Sequence, residues 1–267
     1  MTDAEKISNK TWGKNIKNWT EIQEAQGKGG YDFVLHLLSE GSSLHLLDIG
    51  CGTGGFCEMA LKKNIAVTGI DISSQFIEEA KRRIPAGTFL TGEMEKLPFD
   101  DKSFNVVCGF NAFQYSTDLK VALQEAKRVL IPAGQLIILI WAEESSCEIA
   151  SLLKTVKSHV EAAPSESRNP FALSKDNELE EALSGTGFSK VKSDIVALCW
   201  RYPDVETALK GLLSLGALSY IIEYNGIDNV QKAILRSIEK YTQLNGEVIL
   251  KNHYKVVTSI KGNKTLQ

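Results

Sequence analysis

Several features that would define a class of protein are scarce in this 267-residue sequence. The most apolar helical stretch, residues 211–222, contains Gly, Ser and Tyr and is shorter than the roughly 20 residues of a membrane-spanning helix. The first ten residues are polar and lack the apolar core of a signal peptide. We therefore expect no membrane partner and a cytoplasmic location.

The sequence also lacks a large excess of positive or negative charge, and it lacks the residue spacings that are typical of metal sites. With 30 Lys and Arg against 33 Asp and Glu, the net charge is −3. Nucleic acid is therefore disfavoured as a partner, because proteins that bind phosphate backbones are usually basic. The five cysteines contain no CxxC pair and the four histidines are scattered, so we expect neither a disulfide framework nor a metal ion. Free cysteines favour a reducing compartment.

What the sequence does contain is a regular alternation of strand-like and helical segments. Between residues 44 and 141, apolar runs that end at glycine or an acid alternate with amphipathic segments of helical spacing. Apolar runs without polar alternation are typical of strands that are covered on both faces, as in a parallel sheet. This order predicts an open α/β sheet.

One stretch, LLDIGCGTGGF at residues 46–56, places an acid before a glycine-rich turn and the start of a helix. Glycines at positions 50, 52 and 55 allow a ligand to approach the backbone, because no Cβ intervenes. The next strand ends at Asp71, about one βα unit further on. An acid at this distance from the turn can accept hydrogen bonds from both ribose hydroxyls of a nucleoside.

Three acids, Asp48, Asp71 and Glu93, follow three successive strands at nearly equal spacing. We expect them at the carboxyl ends of adjacent parallel strands, where such sheets bind ligands. The GxGxxG spacing of the turn also fits a dinucleotide site, but the carboxylate of Asp48 would repel a pyrophosphate. It favours a ligand with a cationic group, such as S-adenosylmethionine (SAM), which carries an ammonium and a sulfonium.

The segments LLDIGCGTGGF, VTGIDIS, GEMEKLPFDDKSFNVV and EAKRVLIPAGQLIIL, within residues 44–141, together resemble the SAM-dependent class I methyltransferases. The similarity is to the group that includes the ubiquinone and menaquinone biosynthesis methyltransferases. It implies in-line methyl transfer from SAM to a small organic molecule. The residues that it implies at the cofactor are Asp48, Gly50, Cys51 and Gly52 around the turn, Asp71 at the ribose, Ile72, Glu93 and Met94 at the adenine, and Phe110 and Asn111 near the sulfonium.

The resemblance and the order of segments together predict one Rossmann-like domain over residues 1–267. We expect a mostly parallel sheet with an antiparallel C-terminal strand, helices on both faces, N-terminal helices and helical insertions. The parts are a helical cap (1–43), a SAM-binding core (44–141), helical or lid insertions (142–187 and 204–245) and the last two strands (188–203 and 246–260).

Four side chains after strand ends are candidates for binding the methyl acceptor: Phe113, Gln114, Tyr115 and Trp141. Gln114 stands where related sequences often have His, and an amide cannot act as a base near neutral pH, so the catalytic residue stays unassigned. Trp12 and Trp19 are candidates for covering the cofactor. A helix at Val205–Tyr224 is a candidate lid together with Ala163–Phe171.

Two alternatives stay open from the sequence alone. A protein that binds SAM without transferring its methyl group would carry the same binding motifs, because binding and chemistry are separable. A NAD-dependent oxidoreductase would share the glycine spacing, but it is disfavoured by Asp48 and Glu93. The sequence leaves the methylated atom and the oligomeric state undetermined.

Overall fold

A seven-stranded sheet forms the centre of the computed structural model, which describes residues 15–38, 44–161 and 169–262. The strands in chain order are β1 (His45–Ile49), β2 (Ala66–Asp71), β3 (Thr88–Thr91), β4 (Phe104–Phe110), β5 (Leu130–Trp141), β6 (Phe188–Tyr202) and β7 (Val248–Lys261). Their order across the sheet is β3-β2-β1-β4-β5-β7-β6.

The first five strands are parallel, and β7 runs antiparallel between β5 and β6. This arrangement confirms the predicted fold class. Because β1 lies between β2 and β4, Asp48 pairs in register with Gly69 on one side and with Cys108 on the other. The carboxyl ends of these central strands therefore meet at one edge of the sheet.

Helices pack on both faces of this sheet. Neighbouring strand residues enter different apolar clusters, Leu46 one and Leu47 the other, as successive side chains of a strand point to opposite faces. The α-helices of seven or more residues are α1 (Lys28–Leu37), α2 (Gly55–Leu61), α3 (Ser74–Arg83), α4 (Leu119–Val129), α5 (Glu148–Ser158), α6 (Glu178–Gly185), α7 (Val205–Leu213), α8 (Gly216–Asn225) and α9 (Ile227–Ile238).

The expected single helix over Val205–Tyr224 is wrong, because the chain bends by 89° between α7 and α8. Ser214 folds its hydroxyl back onto the carbonyl of Gly211 at 2.6 Å, and Leu215 adopts an extended backbone. A serine that bonds to the preceding turn competes with the helical backbone pattern, and the helix ends there. The bend places Leu215 and Ala217 at the site described below.

Within the ranges that the structure describes, no single helix has both the length and the apolar composition of a membrane span. The bent pair α7 and α8 meets these criteria only when its two helices are taken together.

Candidate functional site

The glycine turn between β1 and α2 is held in a conformation that suits glycine. Gly50, Gly52 and Gly54 have φ angles of +75°, +54° and +86°, a region that is costly for residues with a Cβ. The backbone N–H groups of Gly50 and Cys51 both donate to the carbonyl of Ile70, at 2.7 and 3.1 Å. These bonds fix the turn against the end of β2.

Asp71 ends β2 beside this turn. Its two carboxylate oxygens accept hydrogen bonds from the backbone N–H groups of Gly52 at 2.9 Å and Ser73 at 2.8 Å. Burial raises the pKa of Asp71, and the backbone hydrogen bonds from Ser73 and Gly52 act in the opposite direction. The turn therefore orients the carboxylate of Asp71 through its own backbone.

Asp48 is the most buried acid at this edge, with 1% of its surface exposed. The thiol of Cys57 donates to Oδ2 at 3.5 Å, and Oδ1 is buried without a hydrogen-bond partner among the described residues. Burial raises the pKa of Asp48 to about 7. A buried carboxylate oxygen without a partner is costly, so this position fits a ligand that brings an N–H donor or a positive charge.

We expect Asp48→Asn to stabilise the ligand-free protein above pH 7. The pKa of Asp48 is raised in the folded state, so its ionisation in the unfolded chain lowers the free energy of unfolding progressively between about pH 4 and pH 7. Asparagine does not ionise, and the gain should be on the order of 4 kcal/mol. The melting temperature of the variant should be higher than that of the wild type at pH 8 and equal to it at pH 4. An advantage confined to low pH would contradict the assignment.

Glu24 is a buried acid beside the glycine turn that the sequence analysis did not single out. Its Oε1 accepts hydrogen bonds from the hydroxyl of Thr53 at 2.6 Å and from the backbone N–H of Gly55 at 3.1 Å. Its Oε2 pairs with Arg83 at 2.7 Å. The carboxylate thus occupies the start of α2, where a dinucleotide would place its pyrophosphate. No local pattern indicates this contact, because the partners lie about 30 to 60 residues away along the chain.

The residues expected at the adenine follow the ends of β2 and β3. The backbone N–H of Gly92 donates to the carbonyl of Asp71 at 3.0 Å, which keeps the two strand ends together. Ile72 and Glu93 are half-buried next to this contact, and Met94 packs against an apolar cluster of the sheet. The structure therefore brings these three residues to the same edge as Asp71.

Next to the turn lies a pocket, called the aromatic pocket below, whose described lining includes eight aromatic residues. It brings together five of the residues singled out in the sequence, Trp19, Phe110, Asn111, Tyr115 and Trp141. The ring of Phe110 lies 4.3 Å from that of Phe56, and the ring of Trp141 lies 4.6 Å from that of Tyr254, measured between centroids. The other described residues that line it include Tyr31, Leu153, Phe171, Trp200 and Leu215.

Phe113 and Gln114 do not line this pocket but a second, more open one with Asn169 and Leu173. Phe113 is fully buried, and the absence of a side chain at Gly109 leaves room for its ring, because a Cβ there would come within 2.6 Å. Gln114 touches the first pocket indirectly, since its Nε2 donates to Oδ1 of Asn111 at 3.2 Å.

The aromatic pocket carries little charge. Among its described lining residues, Glu24 is the only acid, it is paired with Arg83, and no Lys, Arg or His is present. Burial raises the pKa of Tyr115 to about 12, so this phenol stays protonated near neutral pH. Trp12 and residues 163–168 of the candidate lid lie outside the described residues. In the described ranges, no three His, Cys, Asp or Glu side chains form a metal site.

Comparison with known proteins agrees with this geometry. A family model described as a methyltransferase domain matches residues 47–138, from β1 to β5. A malonyl-[acyl-carrier protein] O-methyltransferase from Erwinia pyrifoliae is 28% identical over 77% of this chain and 74% of its own. A demethylmenaquinone methyltransferase from Thermotoga maritima is 34% identical over 40% of this chain and 47% of its own.

A solved structure shares the fold over nearly the whole length. A SAM-dependent methyltransferase from Thermotoga maritima aligns with a TM-score of 0.57 and 19% identity, and the alignment covers 95% of this chain and 98% of that one. The architecture outside the matched domain, including β6 and β7, is therefore also a known arrangement.

Proposed function

The chain belongs to the SAM-dependent methyltransferases, and from that premise we propose that its methyl acceptor is an aromatic small molecule. The observation that carries the proposal is the aromatic pocket, which adjoins the glycine turn and is lined in its described part by several rings and no cationic side chain. Aromatic walls contact a planar ring favourably by offset stacking and edge-to-face packing.

We propose that the cofactor lies across the carboxyl ends of β1, β2 and β3. Asp48, with Gly50, Cys51 and Gly52, would receive the methionine part, and the unpartnered Oδ1 of Asp48 suits its ammonium. Asp71 would hold the ribose, while Ile72, Glu93 and Met94 would contact the adenine. Phe110 and Asn111 would lie between the cofactor and the acceptor, since both line the aromatic pocket.

Methyl transfer from SAM depends more on the alignment of the acceptor than on a catalytic base. SAM, when bound, supplies a methyl group that is already activated as a sulfonium. The protein's part is to hold the acceptor in line and to exclude water, which supplies much of the rate enhancement of such a transfer. Among the described lining residues, Asn111 can orient an acceptor by hydrogen bonding. An acceptor that is already nucleophilic, such as an acidic phenol or a hydroquinone, fits these groups.

The two relatives described above have different acceptors in their names. A malonyl acceptor presents a carboxylate, and a cation such as Arg binds a carboxylate most strongly away from water. The described pocket lining offers no cation, whereas its rings suit the quinone-type acceptor in the name of the demethylmenaquinone relative. The pocket therefore favours the quinone-type class of acceptor.

We further propose that the protein works in the cytoplasm. The free cysteines in the described ranges support this location, because the cytoplasm keeps thiols reduced.

A direct comparison of acceptors tests this proposal. We expect purified protein with SAM to methylate a naphthohydroquinone at least 100-fold more efficiently than a malonyl thioester, measured as formation of S-adenosylhomocysteine (SAH). Equal or greater efficiency on the malonyl thioester would contradict the proposed class.

Variants separate the acceptor pocket from the cofactor site. Tyr115→Ala and Trp141→Phe should lower turnover at least tenfold while SAM affinity stays within about tenfold, or 1.4 kcal/mol. Tyr224→Ala, at an exposed position outside the pocket, serves as the control. If both pocket variants are folded and fail to bind SAM, these residues belong to the cofactor site instead.

A further inference from the structure

We propose that Glu24 and Arg83 are positioning residues that fasten the N-terminal segment, residues 15–38, onto the glycine turn and thereby set the affinity for SAM. The proposal rests on SAM as the cofactor and does not depend on which acceptor is methylated.

The contacts centre on one buried carboxylate, and Arg83 also pairs with Glu58 at 3.4 Å. Glu24 accepts hydrogen bonds from Thr53 and Gly55 and pairs with Arg83. Arg83 in turn donates to the carbonyl of Thr53 at 2.9 Å and to its hydroxyl at 3.0 Å. Glu24 is 7% exposed and the side chain of Arg83 is 18% exposed. Three parts of the chain, the N-terminal segment, the turn and the end of α3, therefore meet at this pair.

The same segment touches the cofactor site at two further points. The ring of Trp19 stacks on Phe76 at 6.2 Å, and its indole nitrogen lies 3.9 Å from the position that a Cβ on Gly52 would take. The ring of Tyr31 packs edge-on against Phe110 at 4.9 Å. Trp19 and Tyr31 thus form part of the pocket wall, and Glu24 lies between them in the segment.

The backbone of the segment is irregular at this point. It passes from a π-helical turn at Trp19–Gln23 to a 3₁₀ turn at Glu24–Gly27 before α1 begins. Such turns are held by tertiary contacts, because their own hydrogen-bond geometry is weaker than that of an α-helix. Loss of the Glu24 contacts should therefore release the wall that Trp19 and Tyr31 provide.

The close packing of the Glu24 carboxylate against Gly55 supports a specific contact between these two residues. A Cβ on Gly55 would lie 2.5 Å from the carboxyl carbon of Glu24, so the carboxylate reaches the backbone only because position 55 is glycine. Removing Glu24 alone leaves Arg83, among the described residues, with only its longer and more exposed ion pair to Glu58, whereas removing both partners avoids the cost of a poorly compensated charge. This difference separates a positioning role from a purely structural one.

The test measures SAH affinity by calorimetry together with thermal stability. Glu24→Ala should weaken SAH binding at least tenfold, and Glu24→Gln, which keeps one acceptor oxygen, should recover part of the loss. Glu24→Ala combined with Arg83→Met should regain stability without regaining affinity. Glu21→Ala, an exposed change in the same segment, should leave SAH affinity unchanged.

A second pair of variants tests the contact between Glu24 and Gly55 by changing the glycine instead of the acid. Gly55→Ala should weaken SAH binding as Glu24→Ala does, whereas Gly185→Ala, where an added Cβ meets nothing within 4 Å, should not. Folded Glu24 and Gly55 variants with wild-type SAH affinity would overturn the proposal, as would a double variant whose stability and affinity recover together. These results would leave the acceptor class untouched, because SAH binding needs no acceptor.

Discussion

Gly50→Ala should lower SAM affinity by at least 100-fold and also lower the melting temperature. Gly50 has a φ of +75°, which costs a residue with a Cβ about 1–2 kcal/mol. In addition, its Cβ would lie 2.5 Å from that of Ala112, so the turn or the chain after β4 must shift. Both of these lie at the proposed cofactor site. Calorimetry with SAM on the folded variant measures the effect.

Gly246→Ala is a matched control for backbone strain. Gly246 has a φ of +88°, but a Cβ there meets nothing within 4 Å, and the residue lies before β7, away from the turn. This variant should lose about 1–2 kcal/mol of stability and keep wild-type SAM affinity. If Gly50→Ala weakens SAM no more than Gly246→Ala does, the turn does not hold the cofactor.

Asp71→Ala should weaken SAM binding by about 10- to 150-fold, equivalent to about 1.5–3 kcal/mol, the scale of hydrogen bonds to a charged group. The carboxylate of Asp71 is oriented by the N–H groups of Gly52 and Ser73, and the proposed ribose contact adds to these bonds. Because the variant also frees these two N–H groups, some loss of stability should accompany the loss of affinity.

Asp194→Ala, at an exposed position on β6, is the control for removing an acid. It should leave both SAM affinity and stability close to wild type. An Asp71→Ala protein that is folded and binds SAM as tightly as wild type would show that the ribose lies elsewhere.

The sheet and the positions of the three acids were predictable from the sequence because they depend on local patterns. Apolar runs that carry Asp48 and Asp71 at or next to their ends mark buried parallel strands, and parallel strands bring their carboxyl ends to one edge. The antiparallel C-terminal strand followed from the family resemblance and from two long strand-like segments. These features require no knowledge of distant side-chain contacts.

The remaining features depend on contacts between distant segments. Glu24 reaches Thr53 and Arg83 only once the N-terminal segment packs on the turn. The short 3₁₀ turn at Phe113–Tyr115 directs Phe113 into the core and Tyr115 to the aromatic pocket, a division that residue spacing does not indicate. The helical periodicity does not indicate the bend after Ser214, where the hydroxyl bonds to Gly211 and Leu215 adopts an extended backbone.

A crystal structure of the protein with SAH tests the central claim most directly, because it locates cofactor and acceptor pocket together. We predict the ribose hydroxyls on Asp71, the ammonium at Oδ1 of Asp48, and the sulfur facing the aromatic pocket beside Phe110. SAH bound away from the glycine turn, or with its sulfur facing the second pocket beside Phe113 and Gln114, would contradict the account.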